Sequence, residues 1–276
     1  MIGSARDAVV NRLARTRYFR GKYRILNHLA PAQGIRNTRV FDYEMALDLC
    51  EYVQRRMYLG SFEPGESALL CSYLRPGMTF FDVGANVGYY TALAAACVGP
   101  TGRVVAYEPS LYAFEKLLTF VTLNGISQVR CVQAALSKTM GSLQLFVPPE
   151  SHHSHDPSVL EYCADMTRID VPAVTLDGER QRLGHDQIDA LKLDVEGHEW
   201  SVLEGSLETI RAGKLRAMLC EFNDNLLSSA GMSSPRLYSQ IVRLGFRDVE
   251  GEPATFRGCF NRFFVFRGCG GPACRL

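Results

Sequence analysis

Residues 80–90 read FFDVGANVGYY. An apolar, β-prone run stops at an aspartate, and two glycines bracketing an asparagine lead directly into a helix-forming stretch. A strand, a tight exit turn and a helix in this order form the crossover unit that parallel strands need. Similar units recur downstream. Strands are predicted at 79–83, 103–107, 129–134, 143–147, 190–194, 217–222 and 263–266, with helices at 89–98, 111–124, 200–212 and 235–244. This alternation predicts an α/β, Rossmann-like sheet, mostly parallel, with helices on both faces. The closing stretch 245–266 reads as two strands at an antiparallel edge. Upstream, residues 5–30, 43–57 and 64–73 read as helices, with a break over 31–37 and a stop at Arg75-Pro76-Gly77. The expected organisation is therefore a helical extension over 1–60 and an α/β domain over 61–276.

Bulk properties narrow the function classes. The chain has 276 residues, 47% of them hydrophobic and 21% charged, with a formal net charge of +1. Global charge implies neither a nucleic-acid nor a membrane partner, and there is no apolar run of about 18 residues to cross a membrane. No secretory apolar segment is read near Met1. Nine cysteines are scattered without paired short spacings; Cys97, Cys131 and Cys220 lie in apolar segments, and Cys269 and Cys274 lack zinc spacing. The expectation is a reducing, cytoplasmic setting. Before Val40 the basic residues Arg6, Arg12, Arg15, Arg17, Arg20, Lys22, Arg24, Arg36 and Arg39 face one acid, Asp7. The preferred reading is a solvated helical face with Val9, Val10 and Leu13 turned inward; contact with anionic lipid or substrate is the alternative.

In an open parallel sheet, ligands sit beyond the carboxyl ends of the strands. Gly84 permits backbone angles and a close approach that a Cβ would forbid, and Gly88 lets the next helix start tightly. Asp82 and Asn86 offer polar groups at this crevice. The next strand ends VVAYEP, and its acid Glu108, followed by Pro109, lies 24 residues after Gly84. That spacing suits a carboxylate accepting hydrogen bonds from a ribose diol. Together these features point to an adenosine-containing cofactor. The turn is D-x-G-x-N-x-G and not the dinucleotide fingerprint G-x-G-x-x-G. An acid before the first glycine repels a pyrophosphate and suits a cationic amino group, so S-adenosylmethionine is favoured over a nicotinamide cofactor. The plainer reading, a ligand-free strand–turn–helix, accounts for the glycines alone but not for Asp82, Asn86 and Glu108 together.

The segments FFDVGANVGYYTALAAACVGPTGRVVAYEP and LKLDVEGHEWSVLEGS resemble the two hallmark blocks of FkbM-type methyltransferases. VTLD at 174–177 and LCEF at 219–222 follow in the family's order, and the similarity runs from about residue 43 to residue 221. The resemblance implies a class I methyltransferase fold, S-adenosylmethionine as cofactor and methyl transfer to oxygen. The acceptor would be a hydroxyl of a small metabolite, natural product or sugar.

In the second block, Lys192 and Asp194 interrupt what should be an apolar central strand, and alternation puts both on one face. Asp194 is the first candidate for the base that takes the acceptor's proton, His198 the second by its ordinary pKa near neutrality, and Glu196 the third. Lys192 would orient Asp194 or pair with it; alternatively it snorkels to solvent. Glu199, and Glu196 with it, would also favour a helix N-terminus. Asp194, Glu196 and Glu221 are hard-oxygen residues that suit Mg²⁺ if they converge; metal dependence is not the favoured expectation. The run SHHSHDPS, with His152, His153 and His155, lies where a lid over the acceptor would form. It lacks helical metal-site spacing and reads as a polar loop, with a lid histidine as an alternative base. Tyr43, Tyr52, Tyr58 and Phe62 are candidates for lining the acceptor pocket or for ordinary core. A nicotinamide-dependent oxidoreductase and a noncatalytic module with the same fold are the competing functions. A homodimer is compatible with the sequence and not specified by it.

Overall fold

Apolar residues on both sides of each central strand require cover on both faces, and the chain supplies it. The structure, a computed structural model, describes residues 5–14, 16, 19–148, 158, 160 and 165–267. The amino-terminal part runs α1 (Ala5–Ala14), α2 (Lys22–Leu29), β1 (Ile35–Val40), β2 (Tyr43–Asp48), α3 (Tyr52–Tyr58) and α4 (Pro64–Tyr73). Then come β3 (Thr79–Val83), α5 (Tyr89–Val98), β4 (Arg103–Tyr107), α6 (Leu111–Leu123), β5 (Val129–Val132), β6 (Ala135–Leu136), β7 (Gly141–Val147) and β8 (Thr167–Val174). The last part holds α7 (Leu176–Arg182), β9 (Ala190–Leu193), α8 (Glu199–Glu204), α9 (Leu207–Arg211), β10 (Ala217–Asn223), α10 (Asp224–Ser229), α11 (Ser234–Arg243), β11 (Phe246–Asp248) and β12 (Cys259–Phe266).

The main sheet has seven strands in the order β11-β12-β10-β9-β3-β4-β5. Pairing is parallel from β10 through β9, β3 and β4 to β5, and β12 runs antiparallel to both β10 and β11. This is the expected mostly parallel, Rossmann-like sheet with an antiparallel edge. The chain moves outward from β3 to β5 and then returns to β9 on the other side of β3. That reversal opens a crevice beyond the ends of β3 and β9. Alternation distributes the strand residues to two cores. Phe80, Val104 and Leu219 join Leu93 and Leu117 on one face, while Phe81, Val105 and Met218 join Val202, Ile210 and Ile241 on the other.

Several expectations are corrected. Residues 43–57 are not one helix: β1 and β2 form an antiparallel hairpin, with Val40 opposite Tyr43, and only α3 is helical. Thr38, Val40, Met45 and Leu47 are buried at every second position, so the period is that of a strand. The stretch 5–30 divides into α1 and α2, with Gly21 in a left-handed conformation (φ 87°) at the join. Val9 is 54% exposed although Val10 is fully buried. Lys22 is not on a solvated face: its Nζ donates to the carbonyls of Ala14 and Thr16 at 2.7 Å each. Val10, Leu26, Met45, Leu47 and Tyr58 belong to the same core as Leu70 and Phe80, so packing is continuous across residue 60. Residues 143–147 are in a strand, but that strand, β7, belongs to a separate sheet ordered β6-β8-β7, and β8 has no counterpart among the predicted strands. The helix expected over 200–212 is interrupted at Gly205, where a Cβ would lie 2.1 Å from the Ser137 carbonyl oxygen.

Candidate active site

The exits of β3 and β9 touch. A Cβ on Gly84, whose φ is +81°, would lie 1.8 Å from the carbonyl oxygen of Asp194. Glycine is thus required here by the neighbouring strand's exit. At Gly88 a Cβ would come within 2.8 Å of Leu117 in α6, so this glycine seats α5 against α6 and not against its own strand. The turn between them hangs on β4: the N–H groups of Gly84 and Ala85 both donate to the Tyr107 carbonyl at 3.0 Å. Asn86 adopts the left-handed region (φ 49°), which its short polar side chain tolerates.

Beyond these exits lies a cavity of about 720 Å³. Gly84, Asn86, Glu108, Pro109, Asp194, Glu196 and His198 all line it, which brings most of the sequence-predicted residues together. Glu108 is 4% exposed and fixed at both oxygens: Oε2 accepts from the Asn86 N–H at 2.8 Å and Oε1 from the Ser110 N–H at 2.9 Å. These backbone bonds orient the carboxylate on the cavity wall.

Asp82 departs from the expectation. It is 1% exposed, is not part of the cavity wall, and accepts from the Thr91 hydroxyl at 2.6 Å. Burial pushes its pKa up to about 6, against the lowering effect of Thr91 and of Lys192. It therefore braces the start of α5 from beneath the crevice.

The second block supplies Asp194, Val195, Glu196 and His198 to the same cavity. Lys192 is 1% exposed and does not snorkel; its Nζ donates to Asp194 Oδ2 at 3.0 Å and to Asn261 Oδ1 at 3.2 Å. Burial alone would lower its pKa, but Asp194, Glu63 and Glu221 together raise it. The ammonium also lies 5.2 Å from the centre of the Tyr90 ring. The network extends through Asn261, whose Nδ2 donates to Glu63 Oε1 at 3.2 Å, to Glu63, which also accepts from the Tyr90 hydroxyl. Glu196 occupies the left-handed region (φ 54°), ahead of Gly197 at φ 96°. For a residue with a Cβ this costs about 1–2 kcal/mol.

His198 loses the property that recommended it. Burial, aided by Lys138, lowers its pKa to about 4, and its Nε2 lies 3.0 Å from the Ser137 hydroxyl. It is a neutral hydrogen-bonding group at neutral pH and a weak base. Glu199 is 1% exposed and braces the loop, its Oε1 accepting from the Val195 and Gly197 N–H groups at 3.2 Å each. Burial raises its pKa to about 7, over the opposing effect of those backbone bonds.

Asp194, Glu196 and Glu221 do converge, each offering one oxygen within 4.8 Å of the other two. Burial, then Asp194 and Glu196, hold the Glu221 carboxyl well above its ordinary range. Among the aromatic candidates, Tyr52 and Phe62 line the cavity, while Tyr43 packs edge-on to Phe120 and Tyr58 is buried in the core. His152, His153 and His155 lie outside the described residues. Sequence reasoning missed Glu63, Tyr90, Asn261 and Cys259. The available signal was Glu63 immediately before Pro64, the first residue of α4. Among the described residues no helix is long and apolar enough to cross a membrane.

The chain is similar to known methyltransferases. A family model described as the methyltransferase FkbM domain matches residues 82–247. Methyltransferase sdnD of Sordaria araneosa is 29% identical over a region covering 45% of this chain and 58% of its own length. A protein-L-isoaspartate O-methyltransferase of Triticum aestivum is 55% identical over a short stretch covering 14% of this chain and 17% of its own. The chain thus matches well under two thirds of either relative. Among solved structures, a methyltransferase FkbM from Methylobacillus flagellatus KT is 16% identical with a TM-score of 0.41, covering 78% of this chain and 52% of the other. Aeropyrum pernix fibrillarin with natively bound S-adenosylmethionine is 13% identical with a TM-score of 0.43, covering 86% and 84%.

Proposed function

The chain belongs to the FkbM methyltransferase family, and from that premise we propose that it is an S-adenosylmethionine-dependent O-methyltransferase. Its acceptor in this reading is a hydroxyl of a small metabolite, natural product or sugar. The observation that carries the reading is Glu108, a buried carboxylate clamped by two backbone N–H groups on the wall of the cavity that the ion-paired Asp194 also lines.

The residues fit such a cofactor. Glu108 would hold the ribose hydroxyls, the Gly84–Asn86 turn would allow close backbone approach, and Pro109 with Leu136 would supply apolar wall for a purine. Asp82 acts indirectly, by fixing α5 through Thr91. When bound, S-adenosylmethionine supplies a methyl carbon made electrophilic by its sulfonium. Asp194, held by Lys192, would take the proton of the acceptor hydroxyl. General-base help of this kind typically contributes about 10²–10⁴-fold. Glu196 and His198 flank Asp194 and hydrogen-bond the acceptor, which enters over Tyr52 and Phe62. The turn after β3 is D-x-G-x-N-x-G and not the dinucleotide fingerprint G-x-G-x-x-G, so an oxidoreductase using a nicotinamide is the weaker reading.

Calorimetry tests the cofactor. S-adenosylmethionine should bind and NADH should not, and Glu108→Ala should weaken binding by about 1.5–3 kcal/mol, the range for hydrogen bonds to charged groups. NADH binding in its place would overturn the reading, and unchanged affinity in the variant would remove Glu108 from the ribose. Labelled S-adenosylmethionine with an extract of the source organism would then identify the acceptor by what gains the methyl group.

A further inference from the structure

The cluster at the ends of β9 and β10 contains an anomaly. Glu221 is 8% exposed, yet its Oε2 is buried without a hydrogen-bond partner among the described residues. Its Oε1 accepts from the Cys259 thiol at 3.1 Å. Leaving an acceptor buried and unpaired is unfavourable unless something outside the chain satisfies it. The oxygens of Asp194 and Glu196 that face Glu221 lie within 4.8 Å of it and of each other. Lys192 answers Asp194 through Oδ2 alone, which leaves the other oxygen of that carboxylate for a second partner.

We propose that Asp194, Glu196 and Glu221 bind a single hard divalent cation at the wall of the cavity. The ligand chemistry selects its class: three carboxylates suit Mg²⁺, Mn²⁺ or Ca²⁺, whereas soft thiolate or imidazole sets suit zinc and copper. The spacing is compatible. Two oxygens on one ion stand at most twice the metal–oxygen distance apart, about 4.2 Å for Mg²⁺ and about 4.6–5.2 Å for Ca²⁺. Three oxygens spread evenly about one ion stand about 1.7 metal–oxygen distances apart, roughly 4.0–4.5 Å for Ca²⁺ and about 3.5–3.6 Å for Mg²⁺, so oxygens within 4.8 Å of one another reach an ion after small side-chain rotations. The purpose of the site rests on the methyltransferase reading. Beside the cofactor cavity, the ion would hold the acceptor hydroxyl and make it more acidic, and Asp194 would then serve as a ligand in place of its direct proton-accepting role.

The test is Mn²⁺ binding to the full chain after chelator treatment, followed by the electron paramagnetic resonance signal of free Mn²⁺. One site per chain is expected, displaced by excess Mg²⁺ or Ca²⁺. Glu221→Gln and Glu196→Gln should each weaken it at least about tenfold, since even outer partners of metal ligands contribute about 10–100-fold. No Mn²⁺ binding by a chain with native circular dichroism would overturn the proposal, as would equal binding by both variants. If Glu221→Gln fails to fold, Glu196→Gln decides, because its side chain is on a half-exposed turn. S-adenosylmethionine calorimetry on the metal-stripped chain is a separate readout: its failure would sink the methyltransferase reading and leave the Mn²⁺ result standing.

Discussion

Gly84 shows how tightly the two halves of the site are joined. Its φ of +81° and the 1.8 Å approach to the Asp194 carbonyl make two separate demands. A left-handed residue with a Cβ costs about 1–2 kcal/mol, and forcing an atom into close-packed surroundings typically costs about 1–3 kcal/mol more. Gly84→Ala should therefore lose about 2–5 kcal/mol in urea denaturation. Gly21→Ala is the matched comparison: it is left-handed at φ +87°, but nothing lies within 4 Å of the added carbon, so only the first cost applies. Equal losses in the two variants would mean that the exits of β3 and β9 yield freely. At this scale the sequence revealed residues whose role follows from local order. Gly84, Asn86, Glu108 and Asp194 follow strands directly, and all four reach the cavity. Asp82 misled because the side of the strand it faces depends on what packs there. Glu63 and Asn261 were invisible for a different reason: they meet across 198 residues of chain.

Among the elements, the β1–β2 hairpin is the one whose docking depends most visibly on a single side chain. Asn124, at the end of α6, accepts from the Glu44 N–H at 2.8 Å and donates to the Glu44 carbonyl at 2.7 Å, mimicking one rung of a ladder. Asn124→Ala removes both bonds. At about 0.5–1.5 kcal/mol for each, the loss should be about 1–3 kcal/mol, with faster amide exchange over β2 and none over β3. Unchanged exchange in β2 would show that the apolar contacts of Met45 and Leu47 hold the hairpin unaided. The same hairpin marks the limit of sequence reading. Strands β3 and β4 and helix α5 have the predicted bounds, because each is a largely apolar run closed by a glycine or a turn. The hairpin's charges lie three or four residues apart, Arg36 with Arg39 and Glu44 with Asp48, and resemble a helical polar face until the pairing partner is known. Strand β8 alternates polar and apolar residues but was hidden by Pro172 within its run.

Over the whole molecule, the crevice concentrates acids that the fold buries, and this sets how stability responds to pH. Asp82 and Glu199 are both 1% exposed, and burial raises their pKa values to about 6 and about 7. For Glu199 the ordinary value is 4.5, so between about pH 4.5 and 7 the unfolded chain has released a proton that the native chain retains. The native state then binds more protons than the unfolded one, and stability falls as pH rises through that window, by up to about 1.4 kcal/mol per pH unit, before levelling off above about pH 7. Groups of opposite sign temper the net profile, among them Glu179, whose pKa burial would raise but Arg182 and Tyr107 lower. The contribution of Glu199 is isolated by comparison with Glu199→Gln. The amide oxygen retains the bonds from Val195 and Gly197, and the amide nitrogen takes the place of the protonated Oε2, which has no partner among the described residues. Urea midpoints at pH 5, 6, 7 and 8 should decline more steeply for the parent than for the variant below pH 7 and run parallel above it. Matching slopes throughout would mean that Glu199 is ionised in the native chain across the whole range, and that the backbone N–H groups outweigh its burial.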